Sequence, residues 1–176
     1  MVPMLALSTL ALASCGENSD EKVPSKICGT TINAQYVRPL LKDSGKFSEF
    51  SRLDNARART APCDLMIDDQ PVMSFRFAWS PTSVDIMKYA TSDSSVSSLR
   101  EPRQTGGEYQ TVIGDDGAIS TAACRKSDAS YFTLTLLLPR SSKYDSGPRA
   151  DIKKFMGVYM KEAMKGFKCG GARSGG

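Results

Sequence analysis

Five cysteines, Cys15, Cys28, Cys63, Cys124 and Cys169, are the side chains of this sequence with the most chemistry open to them. No two of them are close enough for a Cys-x-x-Cys redox pair or a zinc knuckle, and the chain has no histidine to complete a mixed metal site. Their number is odd. Setting aside Cys15, which ends an apolar N-terminal stretch, leaves four thiols spread over the rest of the chain, an even set suited to two disulfides. Pairing Cys28 with Cys63 and Cys124 with Cys169 closes two moderate loops. A nested pairing, Cys63 with Cys124 and Cys28 with Cys169, joins two strands and ties the chain ends. The nested form is preferred here, but spacing alone leaves all three connectivities open. In the chain-entropy picture either arrangement stabilises the fold by ~4 kcal/mol per bond.

The absence of histidine also removes the Ser-His-Asp and Cys-His nucleophilic sites. Serine-lysine chemistry needs a Ser-x-x-Lys with partner motifs, and Ser141-Ser142-Lys143 has the wrong spacing. Carboxylate chemistry needs two acids converging within ~5–10 Å. Asp68-Asp69 and Asp115-Asp116 are the candidates, and both pairs fall in turns, where aspartate is favoured for backbone reasons. Gly114-Asp115-Asp116-Gly117 lacks the spaced ligands of a calcium loop, and no glycine-rich phosphate loop is present. No catalytic or metal-ligating residue is therefore assigned, and no cofactor is implied. Trp79 could stack on a base or sugar, but its place in an alternating strand reads as core.

The formal charge of +4 is too slight for a nucleic-acid footprint, though it suits weak attraction to anionic lipid heads or wall polyanions. Val2 to Ser14 is an uncharged run, too short for the ~20 apolar residues of a membrane span. It ends in Leu12-Ala13-Ser14-Cys15, which resembles the lipobox of bacterial lipoprotein signal peptides. The basic residues that usually precede such a run are absent, the first being Lys22. The resemblance implies that residues 1–14 are a signal peptide and that Cys15 is acylated. The lipid would hold the protein in the outer leaflet of the cytoplasmic membrane, on its extracytoplasmic face. Outside the cytoplasm the other four thiols are expected to be oxidised. Residues 15–26 are polar, of both signs and contain Pro24, as in a flexible tether.

The remaining elements read as one α+β domain over 27–169, with a disordered tail at 170–176. About 160 residues follow Cys15, enough to bury a core of their own. Thr31 is placed to cap a short or kinked helix through Leu41, interrupted by Pro39. Phe47–Leu53 reads as a strand. Cys63–Ile67, the turn Asp68-Asp69-Gln70-Pro71 and Val72–Ser80 read as a hairpin whose Met73, Phe75, Phe77 and Trp79 share one face. Thr82–Ala90 suits a brief helix, and Thr91–Gly107 a long surface excursion. Tyr109–Ile113 and Ala118–Cys124 form a second hairpin, with Asp-Gly supplying positive φ at its turn. Tyr131–Leu138 is a further strand. Ala150–Phe167 is an amphipathic helix, with Ile152, Phe155, Met156, Tyr159, Met160, Ala163 and Phe167 on one face and Cys169-Gly170-Gly171 at its end. The expected architecture is an antiparallel sheet of about five strands, covered on one face by an N-terminal helix and the long C-terminal helix.

Ile27-Cys28-Gly29-Thr30, the hairpin ending in Trp79, Gly114-Asp115-Asp116-Gly117-Ala118 and the cysteine after a terminal amphipathic helix resemble an uncharacterised actinomycete cell-envelope lipoprotein family. The resemblance implies a small disulfide-bonded α/β domain and carries no catalytic residue. Two functions fit this reading. One is a binding or interaction module for an envelope protein, a wall polymer or a lipid; the other is a carboxylate-dependent envelope hydrolase.

Overall fold

Alternation in two neighbouring strands builds the centre of the fold. β4 (Thr60–Ile67) buries Ala61, Cys63, Leu65 and Ile67, and β5 (Gln70–Ser80) buries Met73, Phe75 and Phe77. The computed structural model describes residues 22–41, 43–53, 59–92, 98–126, 128–139 and 149–169. The signal-like stretch, Cys15, the first part of the tether, Ser141-Ser142-Lys143 and the tail 170–176 lie outside the described residues.

β4 and β5 belong to a seven-stranded sheet ordered β3-β4-β5-β9-β8-β7-β6, with every adjacent pair antiparallel. Its other strands are β3 (Phe47–Ser51), β6 (Arg103–Thr105), β7 (Gln110–Ile113), β8 (Gly117–Lys126) and β9 (Ala129–Leu137). The expectation of about five strands is thus too low. β6 adds a strand within the stretch read as a surface excursion, β4 begins at Thr60 rather than at the expected Cys63, and a separate two-stranded ribbon, β1 (Lys26–Ile27) with β2 (Thr30–Thr31), precedes them. β6 escapes sequence detection because Arg103-Gln104-Thr105 is polar and exposed or half-buried, so it carries no alternating apolar signal.

Two helical segments depart from their predicted caps. α1 (Ala34–Val37) is capped by Asn33, whose side chain accepts the Gln35 N–H at 2.9 Å, while Thr31 lies in β2. A 3₁₀ turn over Arg38–Leu40 follows, as expected for a helix with Pro39 in its path. α3 (Arg149–Gly166) ends in a Schellman arrangement, with the Lys168 N–H on the Lys165 carbonyl and the Cys169 N–H on that of Met164. Its left-handed residue is Lys168 at φ 53.

α3 lies across one face of the sheet. Phe75 meets Tyr159 at 5.0 Å between ring centroids, and Phe77, Trp79 and Phe132 surround Phe167. Trp79 is part of this aromatic packing, partly buried against the core. The short helix α2 (Ile86–Ala90), capped by Asp85, does not join that layer. Ile86, Ala90 and Leu99 pack with Val112 and Ile119 in a second core, whereas Ile113 and Ala118 belong to the first. Alternation along β7 and β8 puts these two sets on opposite faces, so helices cover both sides of the sheet at this end. Within the supposed surface excursion Leu99 is therefore buried.

The cysteines pair sequentially, Cys28 with Cys63 and Cys124 with Cys169, and the nested form is corrected. The first bond ties the β1–β2 ribbon to β4; the second ties the end of α3 to β8. Nesting fails because β4 and β8 are separated by β5 and β9, so Cys63 and Cys124 are three ladder spacings apart, about 14 Å, well beyond disulfide reach.

The two hairpin turns exchange their expected roles. Asp68 and Asp69 both have positive φ, 47 and 61, as a two-residue turn between antiparallel strands requires, so Gln70 and Pro71 already belong to β5. Asp68 also accepts the Lys46 N–H at 2.9 Å, an interaction glycine could not make. None of residues 114–117 has positive φ. Gly117 is needed instead for close approach, since a Cβ there would sit 2.1 Å from the Leu136 carbonyl oxygen.

Gly117→Ala should therefore destabilise by about 3 kcal/mol, as other forced overpacking does. In contrast, Gly157→Ala on the open side of α3, where an added Cβ meets nothing within 4 Å, should stabilise by ~0.5–1 kcal/mol. Urea unfolding of both variants checks the pair, and equal effects would contradict it. Limiting reductant should open Cys124–Cys169 before Cys28–Cys63, because Cys169 is half-buried while Cys28 and Cys63 are fully buried. Alkylation followed by mass mapping reads the order.

Candidate functional site

β8 outruns its neighbour. β7 begins where Gln110 faces Thr121, yet β8 continues through Ala122 and Ala123 to Lys126, so this part of β8 has no β7 residue opposite it. Small side chains at Ala122 and Ala123, and a register irregularity just after them, leave a groove at the sheet edge. α3 overhangs it with Lys161, Met164 and Lys165, and Tyr109 and Tyr131 complete the walls, enclosing about 770 Å³. Cys169 forms part of the lining, so the second disulfide holds the overhanging helix end in place. A smaller depression of about 130 Å³ shares Glu108 and Tyr109 with the groove and extends along α3 to Gly157 and Lys153.

Tyr109 donates its hydroxyl hydrogen to Glu108 Oε1 at 3.1 Å. Burial, that bond to a carboxylate and the charge of Glu108 push its pKa up from 10.0 to about 12. The site thus presents a neutral phenol beside a carboxylate, with lysines on the opposite wall. Such a set can hydrogen-bond hydroxyls and attract anions.

The two aspartate pairs are not brought together. Ser74 and Gly117 both face Leu137 from its two sides, which puts the Asp68-Asp69 and Asp115-Asp116 turns at the same end of the sheet but on the order of 15 Å apart. Asp68 and Asp69 are exposed. Asp115 and Asp116 are not simple turn residues, their side chains being only 23% and 11% exposed. Asp115 receives Arg149 Nε at 2.5 Å, and Asp116 accepts the Arg100 backbone N–H at 2.8 Å and forms an ion pair with its guanidinium at 3.3 Å. Arg149 also reaches the carbonyls of Ile113 and Glu101, fastening the start of α3 to the β7–β8 turn. These carboxylates serve as structural anion partners.

Cys28, Glu49 and Cys63 lie within 4.8 Å of one another, a spacing that suits a metal, but both sulfurs are spent in a disulfide. Glu49 instead accepts the Cys28 N–H at 2.6 Å. Among the described residues no helix is long and apolar enough to cross a membrane. Comparisons with protein families, with curated proteins and with solved structures found no match.

Apart from Cys169, none of the groove residues stands out in sequence. Tyr109, Tyr131, Lys161 and Lys165 become a set only because β7 is shorter than β8 and α3 crosses that end of the sheet. The available signal was the excess of lysine on the solvent side of α3, which also matches the helix dipole and so carries no specific message.

Tyr109 is protonated more firmly in the folded chain than in the unfolded one. Its contribution to stability is present below pH 10 and is lost as the pH rises through about 12. Glu108→Gln should bring the Tyr109 titration back towards 10, because it removes the acceptor charge. Ultraviolet tyrosinate titration of the two proteins measures the change, and an unmoved titration would contradict the Glu108 contact.

Proposed function

We propose that this chain is a lipid-anchored binding module on the extracytoplasmic face of a cell membrane, with the groove between β8 and α3 as its ligand site. The observation that carries the reading is cysteine use. Cys28, Cys63, Cys124 and Cys169 are all consumed in two disulfides, which suits an oxidising compartment and leaves Cys15 as the odd residue. Cys15 is also the residue that ends the lipobox-like Leu12-Ala13-Ser14-Cys15. A thioether-linked lipid, with a further acyl chain such as palmitate, would supply the two hydrophobic signals that stable anchoring needs. The groove supports binding: it is large, half-open and lined by side chains that hold polar ligands. A carboxylate hydrolase gains no support from two aspartate pairs that are separated, one of them exposed and the other bound to arginines.

Expression of the full chain in a bacterial host with a lipoprotein-processing pathway tests the anchor. The wild type should sediment with membranes, incorporate labelled palmitate and lose the mass of residues 1–14. Cys15→Ala should abolish acylation and release the protein from the membrane fraction. Equal membrane retention of both forms, without label in either, would overturn the reading.

A further inference from the structure

We infer that the groove binds an acidic carbohydrate chain, a hydroxyl-rich polymer bearing carboxylate or phosphate groups. The inference rests on the groove being the ligand site but not on the lipid anchor. Its shape is the first argument. The main groove and the smaller depression meet at Glu108 and Tyr109 and run together along α3 from Lys165 to Lys153. Twelve helical residues at 1.5 Å each make this path about 18 Å long, which fits an extended chain better than a compact metabolite.

Charge is the second argument. Lys154 pairs with Asp151 and Lys165 with Glu162, yet among the described residues Lys153 and Lys161 have no acidic partner. Each lines one of the two joined depressions, and Glu108, the one carboxylate lining them among the described residues, is already engaged by the Tyr109 hydroxyl. The path therefore has a net attraction for anions.

The polar and aromatic inventory completes it. Tyr109 and Tyr131 offer ring surface, while Gln110, Ser83 and the Glu108 carboxylate offer donors and acceptors suited to hydroxyls. At the narrow end Gly106, Gly107 and Gly157 carry no side chain, and an added Cβ on Gly106 or Gly157 would meet nothing within 4 Å, so a chain can pass.

The test uses the full chain carrying Cys15→Ala, with short oligogalacturonate and poly(glycerol phosphate) as acidic probes. Maltooligosaccharide of matched length is the neutral probe, and phosphatidylglycerol vesicles are the lipid surface. Calorimetry or fluorescence should show binding of at least one acidic probe, weakening as salt is raised. Lys153→Gln with Lys161→Gln should weaken it by about tenfold, and Tyr131→Ala by a similar factor, while Lys154→Gln leaves it unchanged. Thermal unfolding confirms that each variant is folded. If the neutral probe binds equally, with Tyr131→Ala harmful and the lysine changes silent, the groove stands as a ligand site and the acidic class is overturned. If vesicles bind and the acidic probes neither bind nor compete, the site is a lipid contact and the inference fails. Absence of binding to every probe, or binding indifferent to all groove variants, overturns it as well.

Discussion

The contact between α3 and the aromatic face of the sheet is the interaction on which the rest of this structure depends. Tyr159 stacks on Phe75, Phe155 meets the same ring at a tilt, and Phe167 sits among Phe77, Trp79 and Phe132. Aromatic groups of this size dominate core energetics, so this layer supplies much of the apolar burial. α3 then organises what surrounds it. Arg149 holds the β7–β8 turn, Tyr159 holds the β1–β2 ribbon, and Cys169 holds β8. The same helix leaves one flank free, and that flank is a wall of the groove.

The disulfides extend this logic to parts that lack a core of their own. The β1–β2 ribbon has only two residues in each strand, far too few to persist alone. Cys28–Cys63 and the Tyr159 hydroxyl fix it over the sheet. Burial keeps that hydroxyl strongly protonated, well above the ordinary tyrosine range, so the bond persists through neutral pH. Cys124–Cys169 acts at the opposite side, where the carboxyl end of α3 would otherwise be free to fray. Both bonds join segments already brought together by packing, which is why each links elements adjacent in space.

Much of the fold was legible. The alternation of Met73, Phe75 and Phe77 and the stripe of Ile152, Phe155, Met156, Tyr159 and Met160 are strong because one face is fully apolar. What failed has equally specific causes. β6 is polar on both faces and exists through ladder bonds to β7. α2 carries too few apolar residues for sequence to say which face it covers. The glycines at 114 and 117 look like turn glycines, but neither has positive φ; they admit Leu99, Arg100 and the Leu136 carbonyl at close range. Asp115 and Asp116 gained arginine partners from distant segments, which no local pattern announces.

Sequence alone determined the cysteine arithmetic, the lipobox resemblance at Cys15 and the amphipathic faces, because these depend on composition, order and helical or strand period. Tertiary structure decided the disulfide connectivity, since pairing requires Cα atoms within a few ångströms and the order β3-β4-β5-β9-β8-β7-β6 determines which can meet. It also decided the groove. That feature arises from a difference in length between β7 and β8 and from the crossing of α3, both properties of how elements meet. Lys153, Lys161, Tyr109 and Tyr131 are ordinary surface residues in the sequence, and become a site only where sheet edge and helix flank converge.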